Sequence, residues 1–514
     1  MRILLMSGLL LLMVSACAFF EEFDPSEISR IRHEQIDIED TTGVLENDDY
    51  ESLGVYYINE SNLPYVDISD YIRFYNALDV SPAITHAITN GRIILHQDQP
   101  FESIDETLRR TMVINSNTNV LRFNDPLFAT NDEMFSEFMY FQGTKVNGYV
   151  VESSFTEIAL EPYNFFIHED RGNYYMPLHL VNLFIMPEFY NLYYHPKLIS
   201  LVHTRTISDL EYDDLDMYVP NDLRDASYNF LKLLMEYRYG LTHLNDSWDE
   251  AFEAYETMMM DEDLHYRGVR KFLLTLDEMH TGGVNNGYYK TSVDYTKEIN
   301  SVEASNIREF MNYHTERSEY CEQFVFSYET LKDDTYLVNI PTMNIAIIDD
   351  FNAFLIDLEE NPSTIILDLR CNVGGELRSA AELLALIASN DVTMERVYGD
   401  KDYHIKTSIT SKATFDFIDY YALTSPITYS AANIIARTMQ DQELGKIIGE
   451  NTAGGSGGQF FTSLPSGKPI VYTSPLTFVT QDHHSYEPAL EVDYPLAFDE
   501  ENYYHELLNI IKQD

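Results

Sequence analysis

The sequence predicts an α/β core with a mostly parallel sheet, preceded by a helical segment and an α+β accessory domain. From Asp334 onward, short apolar runs alternate with stretches of helical periodicity, an order that favours right-handed crossovers in a parallel sheet. Between Asn221 and His280, apolar residues recur every three or four positions, as on one face of a helix. From Gly54 onward, short aromatic and β-branched runs are typical of strands separated by turns.

The predicted core is an alternation of strands and helices. Ser363–Leu369 is a continuous apolar run, which is typical of a strand buried on both faces. Three further strands and two helices follow the same alternation. The other predicted elements are strands at Tyr336–Ile340, Pro426–Tyr429 and Lys446–Glu450, and helices at Ala380–Ile387 and Ala431–Asp441.

The helical segment before the core ends at the glycines of Thr281-Gly282-Gly283, because glycine is the usual residue just beyond a helix. Its Met258-Met259-Met260 run favours core packing over a cofactor site. The whole chain divides into five predicted parts. These are a signal peptide at 1–16, an acidic spacer at 17–53, the α+β domain at 54–215, the helical segment at 216–300 and the core at 330–514.

The composition excludes several classes of function. The 514 residues include 33 Lys and Arg against 84 Asp and Glu, giving a formal net charge of −51. Such a field repels phosphate backbones and anionic membrane surfaces, so no nucleic-acid partner is expected. A hydrophobic content of 45% is too high for a disordered acidic chain, and we expect a folded protein of several domains.

The first residues indicate export. Arg2 precedes an apolar run from Ile3 to Val14 that is too short to span a bilayer. Val14-Ser15-Ala16-Cys17 resembles a bacterial lipobox, which implies cleavage before Cys17, lipid on its sulfur and an extracytoplasmic protein anchored to a bacterial membrane. The alternative is an ordinary secretory signal. Cys321 and Cys371 then remain, and they either pair in an oxidising compartment or stay as buried thiols.

Four segments in order resemble the C-terminal processing (tail-specific) and tricorn-like serine peptidases. They are the turn of Asp368–Gly375, the nucleophile turn of Thr428–Asn433, the strand and glycine loop of Ile447–Gly455, and a degenerate closing segment at Glu487–Asp493. The resemblance covers roughly residues 260–514. It implies a crotonase-like (ClpP/crotonase) core and peptide-bond hydrolysis without a cofactor.

Ser430 is the candidate nucleophile. It opens a predicted helix, where backbone N–H groups and the positive end of the helix dipole converge. An acyl-transfer oxyanion needs such donors, and we expect them from the amides of Ala431 and Gly375, with Gly374 as the second choice. The alternative for Ser430 is a plain helix N-cap. The alternative for the two glycines is a tight turn, which is compatible with both roles.

The two branches of this family differ in the residue that serves as the general base. The tail-specific branch uses a lysine in the glycine loop, but that position is Gly455 and residues 452–462 contain no lysine. The tricorn-like branch uses an upstream histidine and a late glutamate. Leu276–Thr281 resembles the segment that supplies the histidine, so His280 is the expected general base and Glu487 its orienting acid. The alternative for His280 is a residue at a helix end.

Other acidic residues lie close to Glu487 in the sequence, and Asp493 among them is expected to serve the start of a strand instead. His483 and His484 point in different directions and have no third ligand at suitable spacing, so no metal site is expected. Asp368 and Arg370 favour a structural ion pair. The other acidic neighbours are Asp482 and Glu491.

Family members often carry a PDZ domain that captures substrate C-termini. The interval from His280 to Tyr336 is too short for one, so the expected PDZ-less enzyme selects peptide or protein substrates through residues 54–215. Two alternatives remain open. One is a catalytically inactive peptide-binding lipoprotein of the same fold, suggested by Gly455 and by Ala432-Asn433 after the serine. The other is an assembly or adhesion factor that acts through the N-terminal half.

Overall fold

The computed structural model describes most of the chain from residue 28 onward. Cys17 and the predicted signal peptide lie outside the described residues. No helix within the described residues is both long and apolar enough to cross a membrane. The described residues are 28–45, 50–78, 82–101, 106–125, 128, 146–150, 156–186, 190–203, 215–245, 247–283, 287–290, 304–332, 334–358, 362–399, 403–415, 418–498 and 502–513.

The N-terminal half contains two sheets. One has seven strands in the order β10-β11-β3-β2-β1-β13-β12, and the other is an antiparallel sheet in the order β4-β5-β6-β7-β9. The elements are β1 (Ile31–Asp40), β2 (Ser52–Ile58), β3 (Tyr65–Asp67), α1 (Ile68–Tyr75), β4 (Ile84–Thr89), β5 (Arg92–Phe101), β6 (Glu106–Asn115), β7 (Val120–Phe123), β8 (Val146–Val150), β9 (Thr156–Ala159), β10 (His168–Asp170), β11 (Asn173–Pro177), α2 (Leu178–Ile185), β12 (Tyr190–His195) and β13 (Leu198–His203).

Strand β1 corrects the prediction of an acidic spacer over 17–53. It pairs antiparallel with β2 and parallel with β13, so backbone hydrogen bonds hold it on both sides. Ile36 is buried in the core, whereas most of the other side chains of β1 are exposed or half-buried. A strand with one solvated face needs few apolar residues, which is why the acidic sequence concealed it.

Helices dominate the next segment. They are α3 (Asn221–Tyr237), α4 (Trp248–Met260) and α5 (His265–Thr275), as the apolar periodicity predicted. Phe252 of α4 and Phe272 of α5 stack with ring centroids 4.2 Å apart, and Met259 is fully buried. The methionine run therefore contributes to packing. A short strand, β14 (Gly282–Gly283), follows α5 and pairs with a strand of the core.

The core is a mixed α/β unit. Its main sheet has the order β15-β16-β17-β20-β21-β24, in which every pair is parallel except β15–β16. The elements are α6 (Ser305–Cys321), β15 (Ser327–Lys332), β16 (Thr335–Asn339), α7 (Ile345–Asp357), β17 (Thr364–Asp368), α8 (Leu377–Ile387), β18 (Val392–Tyr398), β19 (His404–Ile409), β20 (Asp419–Thr424), α9 (Ala431–Asp441), β21 (Lys446–Gly449), β22 (Gly457–Ser463), β23 (Pro469–Val479), β24 (Tyr494–Pro495) and α10 (Tyr503–Gln513).

Helices cover both faces of this sheet. Helices α7, α8 and α9 share one apolar cluster with residues from one face of the strands, and Leu507 of α10 packs against residues from the other face. The middle strand, β17, is accordingly buried at every position. A second sheet, in the order β14-β23-β18-β19-β8 with β22 beside β23, joins the helical segment to the core. Cβ alternation along strands buried on both faces explains their uniformly apolar sequence.

The strand before Ser430 differs from the prediction. It is β20, which ends at Thr424, and the predicted strand Pro426–Tyr429 is a turn. Side-chain hydroxyls hold this turn: Ser425 Oγ donates to the Arg370 carbonyl at 2.6 Å, and Thr428 Oγ1 donates to the Leu369 carbonyl at 2.8 Å. Serine and threonine bond to backbone in this way in turns, and such bonds replace the ladder of a strand.

Helix α6 is tied at both ends. The Asp277 carboxylate accepts hydrogen bonds from the amides of Asn306 and Ile307 in the first turn. At the other end a disulfide joins Cys321 to Cys371, with the two Cα atoms 5.4 Å apart. The pairing that the sequence left open is therefore present. It ties α6 to the turn that contains Gly374 and Gly375.

Candidate active site

Ser430 lies at the turn between β20 and α9. Its backbone has a φ of +54°, which is unusual for a residue with a Cβ, and its amide donates to the Gly454 carbonyl at 3.0 Å. The Ser430 side chain makes no capping hydrogen bond to α9. The N-cap interpretation therefore does not describe this serine. Strained backbone of this kind is often found at functional sites.

His280 reaches Ser430 from the end of the helical segment. Its Nε2 lies 3.0 Å from Ser430 Oγ, within hydrogen-bonding distance. The imidazole is buried and packs on the Tyr429 ring with centroids 4.7 Å apart. Burial lowers the pKa of His280 to about 4, because the charged imidazolium loses hydration. The imidazole is therefore neutral at physiological pH and can accept a proton from the serine.

Two hydrogen bonds to its backbone hold His280 in place. The Glu278 carboxylate accepts a hydrogen bond from the His280 amide at 2.6 Å, and Gln459 donates to the His280 carbonyl at 3.4 Å. The pairing of β14 with β23 continues this connection immediately after the histidine. The general base proposed from the sequence thus comes from outside the core but is fastened to it.

Of the predicted oxyanion donors, Ala431 follows the serine directly and Gly374 lies against it. Ala431 is the first residue of α9, where amides have no partner within the helix. The Gly374 amide already donates to Asn372 Oδ1 at 2.9 Å, whereas no backbone hydrogen bond in the described part of the chain uses the Gly375 amide. This favours Gly375 over Gly374 as the second donor.

Gly374 leaves space beside Ser430 and the Ala431 amide. A Cβ built there would lie 2.8 Å from Ser430 Cβ and 3.1 Å from the Ala431 amide nitrogen, and its φ of +103° also disfavours any side chain. The space beside the serine and the Ala431 amide is where a substrate carbonyl oxygen would have to lie. A glycine at position 374 keeps it open.

The backbone at Gly455, the position of the lysine in the tail-specific branch, has no room for a side chain. Its φ is +97°, and an added Cβ would lie 2.7 Å from Tyr429 Cε2 and 2.9 Å from the Ser430 amide nitrogen. The backbone at position 455 therefore leaves no room for a lysine side chain in this structure. Asn433, which matched the resemblance poorly, is fully buried and donates to the carbonyls of Gly455 and Tyr486, both at 3.0 Å.

Glu487 lies near the site but is not hydrogen-bonded to His280 in the described residues. Its Oε2 accepts from the Ser456 amide at 2.9 Å and from the Ser456 hydroxyl at 2.7 Å. Within the part of the chain that the structure describes, the His280 Nδ1 is buried without a partner. Asp493, the neighbour assigned to a strand start, accepts from the Ile447 amide at 2.7 Å, while Asp482 and Glu491 are exposed.

A second buried carboxyl, Glu278, was not expected. It also accepts from the Thr473 hydroxyl at 2.9 Å and from the Tyr239 hydroxyl at 3.3 Å. Burial and, second, the charge of Glu487 raise the pKa of Glu278 to about 7; burial also raises the pKa of Glu487. Because two negative charges repel each other, Glu278 and Glu487 retain one shared proton more readily than they lose both. The position of Glu278 two residues before His280 was the available sequence signal.

We expect the stability of Glu278→Gln relative to wild type to increase as pH rises. Glu278 has its folded-state pKa raised above the unfolded value, so its contribution to stability is present below about pH 4.5 and is lost as pH rises through about 7. Between pH 5 and pH 8, the free energy of unfolding of the variant relative to wild type should therefore gain roughly 2 kcal/mol. Urea unfolding at the two pH values measures this.

The control for that experiment is Glu253→Gln, which makes the same change on the exposed face of α4. Its stability relative to wild type should be similar at both pH values. An unchanged difference between Glu278→Gln and wild type would show that Glu278 is ionised throughout.

Asp368 and Arg370 form the ion pair that the sequence predicted. Arg370 Nη2 lies 2.5 Å from Asp368 Oδ2, both side chains are buried, and the guanidinium also lies over the Tyr503 and Phe498 rings. These contacts do not direct either side chain toward Ser430. The ion pair therefore stabilises the turn.

Residues 334–495 match Peptidase family S41. The chain carries an S41 domain. The tail-specific protease of Haemophilus influenzae (strain ATCC 51907 / DSM 11121 / KW20 / Rd) is 32% identical over 127 residues, which are 23% of this chain and 17% of that protein. The match therefore spans less than a fifth of the length of this curated relative. Ser430 and both candidate oxyanion glycines lie inside the S41 domain, whereas His280 lies before it.

Two solved structures are similar to the chain that carries this S41 domain. Mature CPAF has a TM-score of 0.44 at 11% identity, covering 57% of this chain and 97% of CPAF. The photosystem II D1 C-terminal processing protease has a TM-score of 0.38 at 13% identity, covering 53% of this chain and 93% of that one.

Proposed function

We propose that the chain is a serine endopeptidase that hydrolyses peptide bonds through an acyl-enzyme, with Ser430 as nucleophile and His280 as general base. The observation that carries this proposal is the 3.0 Å separation of His280 Nε2 and Ser430 Oγ. An activated serine needs a neutral base within hydrogen-bonding reach, and a buried imidazole supplies one. The S41 domain supports the same chemistry.

The reaction would proceed in two steps. His280 Nε2 takes the proton of Ser430 as Oγ attacks the scissile carbonyl, and the amides of Ala431 and Gly375 stabilise the oxyanion. The imidazolium then gives its proton to the leaving amine, which departs and leaves an ester on Ser430. Water enters, loses its proton to His280 and attacks that ester, and the proton returns to Ser430 as the acid product leaves.

The acid of the proposed triad is Glu487, aided by Glu278. Burial raises the pKa of Tyr239 and Tyr429, two residues near the site, and the charges of both carboxyls raise it further. A carboxylate near an imidazolium stabilises the charge that develops there. Glu487 would turn from Ser456 toward the unpartnered His280 Nδ1 when substrate binds, since catalytic hydrogen bonds often tighten only in the complex.

The proposed location is outside the cytoplasm, with a lipid on Cys17 that anchors the chain to a bacterial membrane. The support is the Val14-Ser15-Ala16-Cys17 segment after a short apolar run. The Cys321–Cys371 disulfide adds a second argument, because disulfides persist in oxidising compartments. The core would be of the crotonase type, and residues 54–215 would select the peptide or protein substrate.

The first test is labelling of the full chain with a fluorophosphonate at neutral pH, since this reagent reacts with an activated serine. We expect wild type to be labelled and Ser430→Ala not to be labelled at all. The inactive peptide-binding alternative predicts no labelling of either protein. Labelling that persists in Ser430→Ala would assign the nucleophile to another residue.

A further inference from the structure

Two imidazoles converge on one buried carboxylate far from Ser430 in sequence. His404 Nδ1 lies 2.7 Å and His483 Nδ1 lies 3.3 Å from the same oxygen, Glu395 Oε1. One donor atom from each of the three residues lies within 4.8 Å of the other two. The side chains are 5% exposed for Glu395, 25% for His404 and 56% for His483, so the cluster is accessible from one side.

The sheet brings these residues together. Glu395 is in β18 and His404 in β19, an antiparallel pair in which Glu395 lies opposite Lys406. His404 and Lys406 share one face of β19, because side chains two apart on a strand point the same way. The other neighbour of β18 is β23, and His483 follows directly after that strand. No spacing in the sequence shows this, which is why the sequence predicted no metal site.

The backbone at His483 is held in an uncommon conformation. Its φ is +62°, in the left-handed region that residues with a Cβ rarely adopt. The turn is closed by two backbone hydrogen bonds, from His483 to the Thr480 carbonyl at 2.9 Å and from Thr480 to the His484 carbonyl at 2.8 Å. This turn brings the ring of His483 to 3.3 Å from Glu395, and both this ring and its neighbour His484 are exposed.

The donor set suits zinc. Imidazole nitrogen and carboxylate oxygen bind Zn²⁺ at about 2.0–2.2 Å, which puts tetrahedral ligand atoms about 3.3 Å apart. The 3.3 Å distance from His483 Nδ1 to Glu395 Oε1 matches that value, whereas the 2.7 Å hydrogen-bonding distance from His404 Nδ1 would have to lengthen by about 0.6 Å on binding. Lys406 Nζ lies 3.1 Å from Glu395 Oε2, the oxygen that faces away from the imidazoles, and thereby orients the carboxylate. A surface cavity of about 250 Å³ adjoins Glu395 and Lys406.

We propose that Glu395, His404 and His483 bind one Zn²⁺ ion, with the fourth position open to water. The ion would join the β18–β19 hairpin to the turn after β23. Each imidazole would bind through Nδ1, with its proton on Nε2. This proposal does not depend on the proposed peptidase activity.

The test is calorimetric titration of the metal-free full chain with Zn²⁺ in excess Mg²⁺, which occupies the many exposed carboxylates but binds imidazole poorly. We expect one Zn²⁺ per chain and a melting temperature that rises with zinc concentration. His483→Ala should weaken this binding by more than about 100-fold, since loss of even an outer-shell partner costs 10–100-fold.

His484→Ala is the matched control, because it removes the adjacent exposed imidazole and should leave zinc binding unchanged. His404→Ala gives an independent reading from a different strand, with circular dichroism as the check on folding. The proposal is overturned if wild type binds no zinc stoichiometrically, or if folded His483→Ala binds it as tightly as wild type.

Discussion

His280→Gln is expected to lower kcat/KM for peptide hydrolysis by at least about 10⁴-fold, because glutamine cannot accept the proton of Ser430. The geometry behind this expectation is the 3.0 Å contact between Nε2 and Oγ. Glutamine keeps a polar side chain at this buried position. The loss should therefore appear in the rate of acylation, measured as the fluorophosphonate labelling rate, with a much smaller change in stability.

His86→Gln is the control, since His86 is exposed in β4, and it should leave the labelling rate unchanged. Added imidazole offers a second reading in His280→Ala, where the free base can occupy the space of the missing ring and restore part of the rate. If His280→Gln labels as fast as wild type, the base is another residue.

Replacing both cysteines, Cys321→Ser with Cys371→Ser, is expected to destabilise the fold by about 4 kcal/mol. The two residues are 50 apart in sequence, and closing a loop of this length restricts the unfolded chain by that amount in the chain-entropy model. Urea unfolding under non-reducing conditions measures the difference. A reductant should bring wild type to the stability of the double variant and leave the double variant unchanged.

The labelling rate of the double variant should fall by less than about 10-fold. The turn beside Ser430 has anchors of its own, because Asn372 donates to the Ile340 carbonyl at 2.9 Å and accepts from the Gly374 amide at 2.9 Å. Equal urea midpoints for oxidised wild type and the double variant would show that the disulfide does not form in the native protein. A labelling rate that collapses would show instead that the disulfide shapes the oxyanion turn.

Local patterns predicted the core well. The strand at β17, the helices α8 and α9 and the positions of Ser430 and Gly374-Gly375 follow from apolar runs and glycines that are contiguous in sequence. The strand before Ser430 was misplaced because the decisive hydrogen bonds of Ser425 and Thr428 reach a turn far away in sequence. Short-range patterns contain no information about such partners.

The same reason explains the other differences. Strand β1 owes its place to backbone pairing with β13, which its acidic side chains do not reveal. Glu278 acquires its raised pKa only because folding buries it near Glu487. The resemblance to a family supplied His280, whereas the unpartnered Nδ1 of that residue is visible only in the structure.

The pairing of β14 with β23 has a consequence for how the proposed enzyme could be divided. The segment that matches Peptidase family S41 begins at residue 334. The imidazole that reaches Ser430 belongs to an earlier part of the chain, which pairs with β23 through β14. Residues 334–495 alone would contain the proposed nucleophile, Ser430, without the proposed general base, His280. The proposed catalysis would therefore depend on the upstream helical segment as well as on the matched segment, and a fragment limited to residues 334–495 should not be labelled by a fluorophosphonate.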